Sequence, residues 1–138
     1  LFLAICLYFC GCVSTEPQID PDLIKIEITY SDSENITFDA INNAKDNIEF
    51  GSEYHIEYLD GEEWAPLEEK TETFFTMIAH ILEPGGKMNF SFDIAARYGE
   101  LSNGTYRIAK TFTLLNEDGI PCGSQMAYGE FEVQVVKR

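Results

Sequence analysis

The stretch from Tyr98 to Phe112 constrains the fold of this chain more than any other part of the sequence. It begins with a polar turn at residues 101–104, after which the side chains alternate between two faces, as is typical of a half-buried β-strand. Gly104 accepts the backbone conformation that a sharp corner requires, and the Tyr106 hydroxyl can bond back to upstream backbone. We therefore predict a corner leading into a strand, with structural roles for Gly104 and Tyr106. One face of that strand carries Tyr106, Ile108 and Lys110, and the other carries Arg107, Ala109 and Thr111.

Other parts of the chain repeat this alternation in short segments that are separated by turns. Asp60-Gly61 is a hairpin signal, and Pro66 makes the strand after it an edge strand. Residues 73–82 fit a helix or a strand, and we favour a mostly extended segment; residues 95–99 fit a single helical turn. The pattern predicts an all-β antiparallel sandwich of seven or eight strands without an internal disulfide. The clearest strand segments are residues 23–30, 36–42, 48–58, 88–94 and 127–136.

Two features resemble known immunoglobulin-like sandwiches. Leu-x-x-Gly-x-Tyr at the entry to a strand is similar to their tyrosine corner. The order of motifs along residues 35–136 resembles the bacterial immunoglobulin-like domain of lipoproteins and sensor ectodomains. That resemblance implies a small immunoglobulin-like β-sandwich outside the membrane, and it brings no agreed catalytic residues. The matching positions are Gly51, Tyr54, Trp64, Leu82, Pro84, Gly85, Gly99, Leu101, Gly104, Tyr106 and Arg107.

The N-terminal residues indicate where the protein resides. Leu1 to Val13 is an uncharged apolar run, too short for a membrane-spanning helix of about 20 residues and suited to the apolar part of a secretory signal. Its end, Phe9-Cys10-Gly11-Cys12, resembles a bacterial lipobox, although Phe9 stands where leucine is usual. The resemblance implies that the Cys12 thiol carries a lipid. The alternative is an ordinary signal peptide with incidental cysteines. The chain begins at Leu1 rather than methionine and no basic region precedes it, so we expect either a sequence that is truncated at its start or an alternative start codon.

These features divide the chain into three parts. We expect residues 1–12 to be a lipoprotein signal that ends at Cys12, residues 13–22 to be a flexible tether, and residues 23–138 to form the sandwich. Acyl chains on Cys12 would hold the protein at the membrane on its extracytoplasmic side, and the protein would be secreted if lipidation failed.

The charge of the chain excludes one class of partner. A formal net charge of −15 over 138 residues repels a nucleic-acid backbone or an anionic lipid surface. We therefore expect no nucleic-acid partner, and no pattern in the sequence points to a small-molecule substrate.

We looked for catalytic and metal-binding patterns and found none. His55 and His80 lie in separate apolar runs without the spacing of zinc ligands, and no nucleophile elbow, phosphate-binding loop or zinc-protease motif is present. We predict no catalytic residue, no metal and no cofactor. A group of carboxylates could bind calcium, but we favour a solvated edge that discourages aggregation. These carboxylates are Asp60, Glu62, Glu63, Glu68, Glu69 and Glu72.

Two single residues have competing interpretations. Trp64 could form an aromatic platform for a ligand with Tyr54 and Tyr58, but we favour a structural role in which Trp64 caps the core of the sandwich. Cys122 could be a reactive or intermolecular thiol, and we favour a free thiol without a role.

Together these observations predict a protein that is not an enzyme. We expect a lipid-anchored, non-catalytic binding or accessory module of the bacterial cell envelope, with an envelope protein as its partner. The alternative is a protease-inhibitor-like module that acts through the loop at residues 60–72 or the loop at residues 116–124.

Overall fold

The computed structural model describes residues 22–72, 75 and 78–135. Within these residues the chain forms nine β-strands and one short helix, α1 (Ile94–Tyr98), which lies between the seventh and eighth strands. The strands in chain order are β1 (Ile24–Ser31), β2 (Asn35–Asn42), β3 (Ile48–Phe50), β4 (His55–Asp60), β5 (Glu63–Pro66), β6 (His80–Leu82), β7 (Lys87–Asp93), β8 (Gly104–Leu115) and β9 (Pro121–Val133).

The strands form two antiparallel sheets. The smaller sheet has the order β1-β2-β7, and the larger has six strands arranged around β8. One edge of β8 pairs with β9 along its whole length. The other edge pairs with β4 at residues 106–109 and with β3 at residues 113–114, and β5 and β6 extend these two branches. The prediction of an immunoglobulin-like antiparallel sandwich is confirmed, with nine strands rather than seven or eight.

The observed elements differ most from the predicted ones in two places. The last strand begins at Pro121, six residues before the predicted start at Ala127, because β8 is long enough to pair with the whole segment after the hairpin at residues 116–119. Pro121 and Gly123 favour strands weakly, so sequence alone suggested a loop. In the segment at residues 73–82, the described part contains only the three-residue strand β6. The predicted helical turn at residues 95–99 is confirmed as α1, one residue earlier.

The core lies between the two sheets and is rich in aromatic rings. Phe50 contacts Phe90 and Phe112 edge to face, with ring centroids 5.4 and 5.1 Å apart, and Phe38 stacks on Phe90 at 5.4 Å. Such pairs stabilise a core beyond the area that they bury. The aromatic enrichment that suggested strands therefore also fills the space between them.

The two sheets approach most closely where β1 crosses β9. A Cβ built on Gly129 would lie 2.5 Å from Cγ2 of Ile26 and 3.0 Å from Cδ1 of Ile28. Only glycine fits between these two isoleucines without moving them. Gly129 therefore sets the local separation of the sheets.

The described part of the chain contains no helix that is long and apolar enough to cross a membrane.

Candidate functional site

The side of the six-stranded sheet that faces away from the smaller sheet, which we call the outer face, carries a concentration of exposed apolar side chains. Ile78, Ile81, Met126 and Tyr128 lie on it, and they are 62%, 49%, 42% and 44% exposed. They are four of the seven large apolar side chains that are exposed within the described residues. A concentration of this kind on one face is a usual mark of an interaction surface.

The outer face contains an open groove of about 480 Å³. It forms because β3 and β4 both pair with β8 but leave residues 110–112 without a pairing partner on that edge. The chain bends away at residues 51–54 and returns to β4, so a hollow remains beside the bend. Ala109, Thr111 and Met126 are among the residues that line the groove on β8 and β9. Glu49, Glu53 and His55 line it as well, from β3, from the bend and from β4.

An arginine stack lies beside the groove on the same face. The guanidinium carbon of Arg107 lies 4.5 Å from the Trp64 ring centroid and 3.9 Å from the Tyr128 ring centroid. Its Nε donates to Glu57 Oε1 at 2.6 Å. An arginine between two aromatic faces and one carboxylate is fixed in direction, so the stack forms a rigid border of the face.

The position of Trp64 corrects the expectation that it caps the core. Trp64 is half-buried on the edge strand β5 and contacts Arg107 on the outer face, and it is absent from the core cluster. The alternative platform with Tyr54 and Tyr58 does not form either, because Tyr54 is buried in the core and Tyr58 packs against it. Trp64 therefore lies on the outer face of an edge strand and not in the interior of the sandwich.

The corner before β8 is built around Tyr106. The Tyr106 hydroxyl donates to the carbonyl oxygen of Ser102 at 2.8 Å, and the ring is buried beside Phe131. Gly104 is the first residue of β8 and is not one of the glycines with positive φ. The residue with positive φ in this region is Gly99, with φ of 80°, and it ends α1. The expected special conformation therefore belongs to Gly99 rather than to Gly104.

Arg97, which the sequence analysis placed only in a helical turn, is a buried cation at the end of the core. It is 4% exposed, it donates to the Tyr54 carbonyl oxygen, and its Nε donates to Glu69 Oε1 at 2.8 Å. Its guanidinium lies over three aromatic rings at 4.7–5.0 Å, those of Tyr54, Phe75 and Tyr98. The hydrogen bond from Arg97 holds the pKa of the Glu69 carboxyl below its usual value. No local pattern reveals such a residue, because Tyr54, Glu69 and Phe75 are distant from it in sequence.

Lys110 is a second buried cation, on the inner face of β8 as the alternation predicted. It is 1% exposed, and its ammonium group donates to the carbonyl oxygens of Gly51 and Glu53 at 2.6 and 2.9 Å. It also lies 5.6 Å from the ring centroids of Phe50 and Phe90. Burial lowers the pKa of Lys110 to about 8, and the negative charge of Glu53 opposes this shift. Lys110 therefore holds the bend beside the groove from within the core.

The two histidines lie in different environments. His55 is exposed, with Nε2 3.4 Å from a carboxylate oxygen of Glu53 and Nδ1 3.5 Å from a guanidinium nitrogen of Arg97. His80 is half-buried and stacks on Phe50 with ring centroids 5.5 Å apart. No group of three or more histidine, cysteine, aspartate or glutamate side chains within the described residues could hold a metal ion.

The remaining candidates from the sequence are exposed or lie outside the described residues. The six carboxylates between Asp60 and Glu72 are all exposed, and among them Glu69 pairs with Arg97. Cys122 is an exposed free thiol on β9 whose sulfur lies 3.5 Å from the Leu114 carbonyl oxygen. The proposed lipidation site, Cys12, lies outside the described residues.

The sheet order, the helical turn before β8 and the Tyr106 corner define an immunoglobulin-like β-sandwich. The sequence profile of the family described as "Bacterial Ig-like domain" matches residues 23–131, so the chain belongs to the bacterial immunoglobulin-like domain family. Domains of this family are generally extracellular and typically non-catalytic. A search of curated proteins found no match.

Proposed function

We propose that the protein is a non-catalytic binding or accessory module of the bacterial cell envelope, held on the extracytoplasmic side of the membrane by lipid on Cys12. Membership of a generally extracellular domain family supports the setting. The lipobox-like residues Phe9 to Cys12 and the polar, proline-containing segment after them support the anchor and the tether.

One observation carries the binding role. Four exposed apolar side chains, a groove of about 480 Å³ and a fixed arginine stack share one sheet face. An isolated sandwich gains nothing from leaving this apolar area in water, whereas a partner that covers it gains about 25 cal/mol per Å² of apolar surface. We infer that an envelope protein covers the outer face.

Metabolic labelling with a palmitate analogue tests the anchor. Cells that make the chain with a complete upstream signal should incorporate the label and retain the protein in membranes. Cys12→Ser should lose both the label and the retention, whereas the matched control Cys122→Ser should keep both. Release of the unsubstituted protein into the medium without label would show a plain secretion signal.

Site-specific photo-crosslinking in intact cells tests the binding role. A photoreactive side chain at Thr113 or Met126, both on the outer face, should give a discrete crosslinked product. The same group at Lys25 or Glu27, exposed on β1 in the other sheet, is the matched control and should give none. Equal products at all four positions, or none at any of them, would argue against a partner on the outer face.

The alternative of a protease-inhibitor-like module has shorter exposed loops available to it than the sequence suggested. Within residues 60–72, Glu63–Pro66 form β5, which leaves residues 61–62 and 67–72 outside the strands. Residues 121–124 belong to β9, so the second loop is reduced to residues 116–120. The side chain of Asn116 holds this turn by accepting from the backbone N–H groups of Asp118 and Ile120. Inhibition of a protease panel at micromolar concentration, lost on Ile120→Asp, would support this alternative over a binding face.

A further inference from the structure

The last strand leaves a long edge of the larger sheet open. β9 contains 13 residues and pairs with β8 along its whole length. Within the described residues, no strand pairs with its other edge. At about 3.3 Å per residue, this edge is roughly 40 Å long, and its outward N–H and C=O groups form a template for another strand.

The exposed edges of β1 and β9 differ in how they are protected against strand addition. The edge at β1 is interrupted by a bulge between Ile28 and Tyr30 and carries the paired charges of Lys25 and Glu27. β9 runs in unbroken register from Gly123 to Val133, and its irregularity lies at its first residues. Bulges and charged side chains hinder strand addition at natural sheet edges. From Gly123 to Val133 the edge of β9 has no bulge, and its charges, on Glu130 and Glu132, are both negative.

The side chains beside the open edge have a definite order. Met126, Tyr128, Glu130 and Glu132 are exposed on the outer face of β9, two apolar side chains followed by two carboxylates. Within the described part of the chain, neither Glu130 nor Glu132 forms an ion pair, and Arg107, opposite Glu130, is bonded to Glu57 instead. The two carboxylates are exposed and lie next to each other on the outer face.

We propose that the edge of β9 binds an extended polypeptide by strand addition, and that this polypeptide carries two basic side chains and two apolar side chains at alternate positions. The inference rests on the proposed binding role and adds the chemistry of the partner. Backbone hydrogen bonds supply affinity that is independent of sequence, and side chains at every second position supply the specificity. Directly opposite side chains in such a pair are about 5 Å apart, so basic residues reach Glu130 and Glu132 while apolar residues cover Met126 and Tyr128.

The negative charge of the chain argues against a second copy of the chain as the strand that pairs with β9. Each copy carries a net charge of −15, and pairing β9 with another β9 would bring further carboxylates towards Glu130 and Glu132. Like charges in cross-strand positions destabilise a sheet, and the net charge repels a second copy at long range. The same charge attracts a basic segment and accelerates its encounter at low salt.

A synthetic peptide titrated against the full 138-residue chain provides the first test. Every second residue of the probe is threonine, and the residues between the threonines are two lysines followed by two valines. A second probe with the reversed sequence tests the opposite strand direction. Fluorescence polarisation should show saturable binding of one direction that weakens as salt is raised. Glu130→Gln with Glu132→Gln should weaken binding by about tenfold. The matched control is Glu62→Gln with Glu117→Gln, which removes the same charge at exposed turn positions outside β9 and should change binding by less than about twofold.

A second test separates strand addition from simple charge attraction. N-methylation of the probe at every second backbone nitrogen removes the donors of one edge only. Methylation of the nitrogens that face β9 should abolish binding, and methylation of the alternate nitrogens should leave binding intact. Equal loss with both sets, no loss with either, or equal weakening by the control variant would overturn the proposal.

Amide hydrogen exchange of the free chain completes the test. Alternate amides of β9 point away from β8, so they should exchange quickly in the free chain and become protected when the probe binds. Protection of those amides in the free chain would mean that the edge is already covered, and it would overturn the inference. Crosslinks on the outer face in cells combined with no probe binding would refute strand addition while leaving the proposed binding role in place.

Discussion

At the residue scale, Lys110 makes stability depend on pH. Burial lowers its folded-state pKa from 10.5 to about 8, so between these values the unfolded chain binds more protons than the folded chain. The contribution of Lys110 to the free energy of unfolding is therefore constant below about pH 8 and rises with pH up to about 10.5. The full rise is on the order of 3 kcal/mol, since each pKa unit corresponds to about 1.4 kcal/mol.

Urea unfolding from pH 7.5 to pH 9 measures this effect. Burial raises the folded-state pKa of Tyr54 and Tyr98 above the ordinary value of 10.0, so in this interval neither the folded nor the unfolded chain ionises them appreciably. The unsubstituted chain should become more stable across this interval, and Lys110→Met should remove the rise. A slope that persists unchanged in the variant would assign the pH dependence to other groups.

Arg97 and Glu69 form an ion pair whose two members should contribute unequally. Arg97 is buried, bonded to the Tyr54 carbonyl oxygen and stacked on three rings, whereas the Glu69 side chain is 44% exposed. We expect Arg97→Gln to lower the free energy of unfolding by about 2–4 kcal/mol, because it removes buried hydrogen bonds and the cation–π contacts. Glu69→Gln should cost less than about 1 kcal/mol. Chemical denaturation of both variants measures the two changes in the free energy of unfolding. Equal changes would show that the ion pair itself accounts for most of the contribution of Arg97.

At the scale of elements, the packing of β1 on β9 depends on Gly129. We expect Gly129→Ala to lower the free energy of unfolding by about 1–3 kcal/mol, because the new Cβ forces Ile26 and the two sheets apart. Gly123→Ala in the same strand is the matched control, since its Cβ would meet only Leu114 Cδ1 at 3.9 Å. Thermal unfolding should separate the two variants clearly. Equal stability would show that β1 moves without cost.

At the scale of the whole molecule, the net charge of −15 should destabilise the folded state through self-repulsion. We expect the urea midpoint to rise when sodium chloride is increased from about 0.02 M to about 0.2 M, because screening weakens repulsion between exposed carboxylates. Salt screens the contacts of the buried Arg97 much less than it screens the repulsion between exposed charges. A midpoint that falls with salt would mean that ion pairs such as Arg107 with Glu57 outweigh the repulsion.

The sequence by itself determined the strands, most of the turns and the sidedness of β8. Alternation depends only on neighbouring residues, because successive side chains of a strand point to opposite faces. For that reason Lys110 was correctly placed beside Tyr106 and Ile108. The hairpin turn at Asp60-Gly61 and the helical turn before Gly99 were predicted close to their positions.

Only the tertiary structure decided which distant residues meet. The partners of Arg97 other than Tyr98, the two carbonyl oxygens that hold Lys110 and the isoleucines that require Gly129 come from segments far away in sequence. Trp64 was misplaced for the same reason, because the order β5-β4-β8 puts it over Arg107 on the outer face. The groove exists because two strands share one edge of β8, and the edge of β9 is open because no other strand of the described residues pairs with it. Local pattern fixes the face on which a side chain lies, whereas sheet order fixes what that face meets.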